Sequence, residues 1–449
     1  MPEAARHRVV IAGGGIAGLE ALLALSALAE DRVGVTLVAA TEEFVLKPLA
    51  VEEPFEPGAM ERRDLAPIVE GEGAEFVRDR VVAVRPADRV IELAGGASLA
   101  FDSAVICLGA RLRPAYAHAE TLRPDTDPIA IDALLRRAAE HSSKRLALLL
   151  PRRGSWPLPV YELALLAAGR ARRLGVDVRL ALVTPEAAPL AMFGEEASAA
   201  VAATLAARGI EVIARRHAEE GSGGGLRLVP GGEPLEAGAA VALPELEGPA
   251  LEGLPSDERG FIPIDEHCRV SGCEAIYAAG DGTSFPIKHG GLGAEQADAA
   301  AEGIAAAAGA EVNPQPFRPV IRGKLIAGEE SLNLQAPLPD GSGEASLDYL
   351  WWPPHKVAGR YLAPYLSGGM PGEQLREPPH GIASRWPSTR TARRTRRPEL
   401  RPAGRSGAPH PSRSASRPRA ASGPCRGRPG RGGWRRPRRA GSGRSRRRR

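Results

Sequence analysis

Two rhythms of apolar and polar positions alternate along this chain. Arg8-Val9-Val10-Ile11-Ala12 is a nearly continuous β-branched run, the pattern of a strand buried on both faces of a parallel sheet. Gly13-Gly14-Gly15-Ile16-Ala17-Gly18 follows at once, then an Ala/Leu-rich stretch from Leu19 to about Leu28 that predicts a helix, and Val33–Val38 predicts the next strand. The glycines fall where a strand–helix turn has to be tight. Further strands are predicted at Ala74–Val77, Val81–Arg85, Arg89–Leu93 and Ala104–Leu108. A second strand–helix–strand block runs from Arg145–Leu150 through a helix at about Val160–Leu174 to Val178–Val183. A helix over about Glu195–Arg208 stops at Gly209, and the glycines 221–225 turn between strands. Ala275–Ala279 predicts a last buried strand, and Ala294–Ala308 a long alanine-rich helix. Repeated α/β units with two nucleotide-type openings favour a doubled fold over one large sheet.

Composition changes this picture at one end only. The 449 residues exceed one ordinary core, and 43% hydrophobic content suffices for two or three domains. No apolar run is long enough to predict a membrane span, and Met1–Arg8 predicts no secretory leader, so a cytoplasmic location is expected. The net charge of +5 hides a division. Residues 376–449 hold 24 arginines and two acidic residues, +22, which leaves the body at −17. Nothing in an acidic body points to nucleic acid. From Glu377 onward the Arg/Pro/Ser/Gly/Ala composition predicts disorder, because it cannot bury enough apolar surface to offset the entropy of ordering. Lysine occurs only five times in the whole chain, so an out-of-frame reading of a GC-rich gene is the preferred account of this arginine tail.

The chemistry concentrates in three motifs. Gly13-x-Gly15-x-x-Gly18 lies between a strand and a helix: Gly13 permits the turn, Gly15 the approach of a pyrophosphate, and Gly18 close helix–strand packing. The helix start, including Ile16 and Ala17, offers free amides and a positive dipole end to phosphate. An acidic residue on the ribose is expected about 20 positions later, but alanine stands there, with Glu42 or Glu43 as substitutes. Ala278-Ala279-Gly280-Asp281 places a carboxylate at a strand end, where it can accept hydrogen bonds from a polyol. Phe101 to Ala110, ending in Gly109-Ala110, is the third.

In this order the three motifs resemble the two-dinucleotide-binding-domain flavoproteins, the group of type II NADH:quinone dehydrogenases, sulfide:quinone oxidoreductases and apoptosis-inducing-factor-like proteins. The resemblance covers about residues 7 to 375. It implies FAD held by Gly13, Gly15, Ile16, Ala17 and Gly18, closed over by Gly109 and Ala110, with Gly280-Asp281 at the flavin ribityl chain. It implies Pro48 beside the isoalloxazine ring, against the plainer reading of a loop proline. It also implies that the helix opened by Lys288-His289-Gly290-Gly291 points at the flavin pyrimidine edge, with Gly291 and Ala294 near the cofactor, Lys288 as a fixed charge and His289 as a proton donor. The plainer reading makes both side chains loop residues at a solvated helix start.

The second opening departs from the pattern. Pro151-Arg152-Arg153-Gly154-Ser155-Trp156-Pro157-Leu158-Pro159 stands where NADH-using relatives carry a second glycine fingerprint. Three prolines cannot present the same amides, and Trp156 crowds a pyrophosphate. Glu162 matches the relatives' helix glutamate, and Arg152 and Arg153 keep positive charge there. Either NAD(P)H binds in an altered mode or this half has lost it. Cys107, Cys268, Cys273 and Cys425 have neither disulfide nor zinc spacing, so neither a thiol relay nor a metal site is expected. Aromatics cluster at 349–366, with Val357, Tyr361 and Tyr365 at helical spacing; the face either packs on the first domain and shields the flavin, the preferred reading, or touches the inner face of a membrane peripherally.

The fold expected is therefore α/β, two interleaved Rossmann-like three-layer domains with a small C-terminal segment and a disordered basic tail. The divisions expected are 1–112 with 260–310 for FAD, 113–259 for the NAD(P)-binding-like half, 311–375 and 376–449. The function expected is an FAD-dependent oxidoreductase passing electrons from NAD(P)H or another donor to a quinone or similar acceptor. A sulfide:quinone-like enzyme without the thiol relay and a non-catalytic FAD-binding protein are the alternatives.

Overall fold

Five parallel strands make the first sheet, in the order Ile276–Ala278, Ser103–Ile106, His7–Ala12, Val33–Ala39, Glu75–Arg78. The computed structural model describes residues 6–124, 130–152, 156–328, 331–339 and 343–379. A second sheet, also all parallel, runs Glu120–Thr121, Ala239–Ala242, Arg145–Leu149, Arg179–Val183, Glu211–Ile213. Apart from the first strand named in each sheet, the remaining four strands of both sheets share one winding, fourth-first-second-third in chain order. The doubled α/β architecture expected from the repeated units is borne out.

Each winding has the same physical origin. A strand buried on both faces needs apolar residues at every position, and Val9 to Ala12 and Leu146 to Leu149 are buried throughout. The helix after each opening strand, Ile16–Ala29 and Leu158–Leu174, covers one face of its sheet. Between its third and fourth strands the first half inserts the antiparallel Val81–Arg85, Val90–Leu93 and Ser98–Ala100, and the second half the hairpin His217–Glu220 with Leu226–Val229. An antiparallel sheet of Val320–Ile326, Ser331–Pro337 and Glu344–Ser346 follows the late helix.

One boundary moves and one expectation changes. The late helix begins at Gly290, as its opening motif implies, four residues ahead of the alanine-rich run from Ala294. Gly290, Gly291 and Gly293 resemble a loop in sequence, yet each is small because a Cβ would strike a neighbour: Ile16 Cδ1 at 2.9 Å, the His289 ring at 2.7 Å and Gly280 Cα at 3.0 Å. The change concerns the aromatic segment. Val357, Tyr361 and Tyr365 do not share a helical face, because only Leu362–Leu366 is helical. Val357 and Tyr361 pack into the first half's core, and Tyr349 and Trp351 are buried as well, so these side chains are used inside rather than offered to a membrane. The Glu20 carboxylate fixes the strap there by accepting the N–H groups of Tyr361 (2.7 Å) and Leu362 (2.9 Å). No helix among the described residues is long and apolar enough to cross a membrane. The expected disorder of the tail falls outside the described residues, as do Arg153 and Cys425.

Candidate functional site

The opening glycines do three different things. Gly13 adopts φ +122°, donates its N–H to the Val38 carbonyl (2.7 Å), and would put a Cβ 2.3 Å from the Cys107 carbonyl oxygen. Gly18 would put one 1.8 Å from the Gly13 carbonyl. Gly15 is exposed, and a Cβ there would meet nothing within 4 Å. Two glycines are thus demanded by the protein's own backbone, and the third faces open space at the N-cap of Ile16–Ala29. That is the cradle a pyrophosphate fits. Ile16, Ala17 and Gly18 all retain backbone N–H groups in the first turn.

Tertiary packing brings the other candidates to the same place. Ala17 lies 3.2 Å from a Cβ built on Gly280, and Gly280 donates its N–H to Gln296 Oε1 (2.8 Å). A Cβ on Gly282 would stand 2.9 Å from the Gly109 carbonyl oxygen, and Ala110 is half-buried beside it. Pro48 Cγ and Val357 Cγ2 stand 3.7 and 3.4 Å from the Cβ position of Gly290, next to Ile16. Gly291 is pressed against the His289 ring, and Ala294 is fully buried. Asp281, next to Gly280, is half-buried; burial pushes its carboxyl up, while Lys288 and Lys47 pull it down. The substitutes for a ribose acid are less well placed. Glu42 is exposed and paired with Arg78 (2.6 Å), and exposed Glu43 faces Arg62 at 3.5 Å.

Lys288 is buried, with its ammonium donating to the Thr283 carbonyl and 3.8 Å from the centre of the Phe261 ring. Burial depresses it to about 8. His289 caps the helix Gly290–Ala307: Nδ1 accepts the Leu292 N–H (3.2 Å), so the ring proton is on Nε2, which faces the Arg322 backbone. Burial lowers its pKa to about 4, so it is neutral at pH 7. This geometry is a cap more than a proton donor.

In the second half, Trp156 packs on His289 with ring centres 4.5 Å apart and planes tilted by 48°, and meets Phe193 edge-on at 5.8 Å. Arg152 is exposed. Glu162 turns away from the opening loop: fully buried, it pairs with Lys356 and accepts the Ile326 N–H at 2.9 Å. Lys356 also donates to the Lys324 carbonyl (2.6 Å), and the Lys324 ammonium lies 3.3 Å from the Pro354 carbonyl. Burial moves Lys324 down to about 7 and Glu52 up to about 7. One buried oxygen each of Glu52 and Glu162 has no hydrogen-bond partner among the described residues. This interior cluster was not anticipated. Its signal in the sequence is scarcity: of five lysines, Lys288, Lys324 and Lys356 are all inside. Cys107 and Cys268 are buried in apolar surroundings, which raises both thiols, Cys107 to about 12. No group of three or more metal-ligating side chains occurs among the described residues.

The sequence profile of the pyridine nucleotide-disulphide oxidoreductases matches residues 162–303. The chain is 26% identical to the alternative NAD(P)H-ubiquinone oxidoreductase C1, chloroplastic/mitochondrial, of Arabidopsis thaliana, over 64% of this chain and 64% of that protein, so it spans somewhat under two thirds of that relative. In fold it is similar to the sulfide:quinone oxidoreductase of the hyperthermophilic bacterium Aquifex aeolicus, with a TM-score of 0.62 and 19% identity, over 76% of this chain and 87% of that one. It is also similar to a ferredoxin reductase of Rhodopseudomonas palustris, with a TM-score of 0.54 and 18% identity, over 73% and 82%. The resemblance drawn from the three motifs is borne out.

Proposed function

For this relative of the pyridine nucleotide-disulphide oxidoreductases, we propose an FAD-dependent oxidoreductase that takes electrons from a reduced donor and delivers them to a quinone or similar acceptor. The observation that carries this reading is that the Gly13–Gly18 cradle, the Gly280-Asp281 turn, Pro48 and the capped start of Gly290–Ala307 pack side by side. Gly15, Ile16 and Ala17 would hold the pyrophosphate, Asp281 the ribityl hydroxyls, and Pro48, Gly109 and Ala110 the ring system. The two sheets support the division into residues 1–112 with 260–310 and 113–259.

Bound FAD supplies the two-electron chemistry. The chain's own residues supply position and protons. Gln296 fixes the Gly280 N–H and so the direction of Asp281, and the His289 cap holds the helix start, whose dipole favours negative charge beside it. Glu52 and Lys324 are both shifted towards neutrality, and Glu52 would be the group to hold a proton that quinone reduction consumes. Quinone is the acceptor named for the Arabidopsis and Aquifex relatives, and NAD(P)H the donor named for the first.

The purified full-length protein should be yellow, should bleach with dithionite under anaerobic conditions, and should recolour on addition of a soluble quinone. A protein that stays colourless after incubation with FAD sinks the reading.

A further inference from the structure

We infer that the second half of this chain takes no pyridine nucleotide, and that Trp156 at its opening serves the first half instead, as a positioning residue that braces His289, the cap of the helix beside the proposed flavin site. The inference rests on the FAD reading above and narrows its donor to reductants without a dinucleotide pyrophosphate.

A dinucleotide is held chiefly by free amides at a helix N-terminus and by glycines that let its pyrophosphate approach. Leu158–Leu174 offers neither. Among its first three residues Pro159 has no N–H, and Val160 donates its own to the Pro157 carbonyl (3.1 Å), which leaves at most the amide of Leu158. The loop sequence contains one glycine, Gly154, where the first opening has Gly13, Gly15 and Gly18. The acidic residue expected to reach a ribose after the second strand is also occupied. Thr184 follows Arg179–Val183, and the carboxylate of the next acid, Glu186, accepts from Tyr161 Oη (2.6 Å) and Thr184 Oγ1 (3.0 Å).

The loop's contribution is visible at Trp156. Its indole packs against the imidazole of His289, ring centres 4.5 Å apart and planes tilted by 48°, and against Phe193 edge-on. That contact helps keep the ring desolvated and neutral, with Nδ1 free to accept from Leu292. A protonated His289 has no lone pair for the cap, so bracing by Trp156 preserves the first turn of Gly290–Ala307 and the direction of its dipole.

The test uses the FAD-loaded full-length protein. NADH and NADPH, each up to ~1 mM, the top of the usual KM range, are added anaerobically while the flavin absorbance is followed, and ADP-ribose binding is measured by calorimetry. The expected result is no bleaching and no binding heat; saturable bleaching by either nucleotide, or ADP-ribose binding, overturns the exclusion. Dithionite-reduced protein is then mixed with a soluble quinone. Failure at that step counts against the oxidoreductase reading and not against this inference. Trp156→Ala and Trp156→Phe test the bracing. Both should keep FAD, and Trp156→Ala should shift the reduced-to-oxidised flavin equilibrium about tenfold towards oxidised, ~30 mV for a two-electron couple, while Trp156→Phe largely restores it. An unmoved midpoint potential in Trp156→Ala overturns the positioning role.

Discussion

The two strand–turn–helix openings of this chain, Val9 to Gly18 and Leu146 to Val160, start from the same buried apolar strand and lead into helices that cover equivalent sheets. They part in the few residues between. The first commits two glycines to its own backbone and leaves the third facing open space. The second fills the corresponding turn with prolines and a tryptophan that leans on the other half. The strand and helix are kept by burial, which both halves need to fold; on the reading proposed above, the turn is kept only where it has a ligand to hold. On that reading, a doubled fold can give up one site without giving up any layer of its core.

The largest effect that could break this comparison belongs to the first opening. Gly18→Ala drives a Cβ into the Gly13 carbonyl and should cost about 4 kcal/mol or more, with loss of FAD from the purified protein. Trp156→Gly in the second opening should leave the FAD-to-protein ratio unchanged; equal loss of cofactor in both variants would erase the distinction. Glu162→Ala comes next, because it leaves Lys356 buried without its partner; a loss of about 3–5 kcal/mol in chemical denaturation is expected, and a loss under 1 kcal/mol would show the ion pair to be dispensable.

A pH series sharpens the point at which the two halves touch. His289 has a folded pKa of about 4, below its unfolded value, so the unfolded chain takes up that proton first as pH falls. Its contribution is complete at pH 7 and is lost between about pH 6.5 and 4, by roughly 3 kcal/mol. Glu295, pushed up to about 7 by burial, works in the opposite sense, losing stability as pH rises from its unfolded value through 7. The difference between wild type and His289→Asn, which keeps a capping side chain but does not titrate, isolates the histidine; parallel stability–pH curves would show that its shift is absent. The smallest effect is expected for exposed Arg152→Ala, with no measurable change in FAD content or melting temperature.

Much of this was legible without coordinates. The strands His7–Ala12 and Arg145–Leu149 announced themselves because burial on both faces leaves no room for polar alternation. The glycine roles followed from the turn, and Gly13 and Gly18 meet the backbone atoms that a tight strand–helix turn implies. Other residues carried no local sign of their roles. Glu20 lies within a helix of small apolar residues, yet its carboxylate is hydrogen-bonded to Asp298 on the helix Gly290–Ala307 and fixes the strap at Tyr361. Glu162 had an analogue to suggest a nucleotide contact, while the partner it meets, Lys356, lies 194 residues away in sequence.

What the sequence alone determined is what repeats at short range: strand burial, helical spacing, glycines in a tight turn, and prolines that deny amides to a ligand. Each of these depends on a residue's own backbone and its nearest neighbours. Only the tertiary structure decided that His289 is a neutral cap under Trp156, that three of five lysines lie inside, and that the aromatic segment near the C-terminus is core. Those facts depend on which distant surfaces exclude water together, and desolvation is a property of the assembled neighbourhood rather than of any stretch of chain.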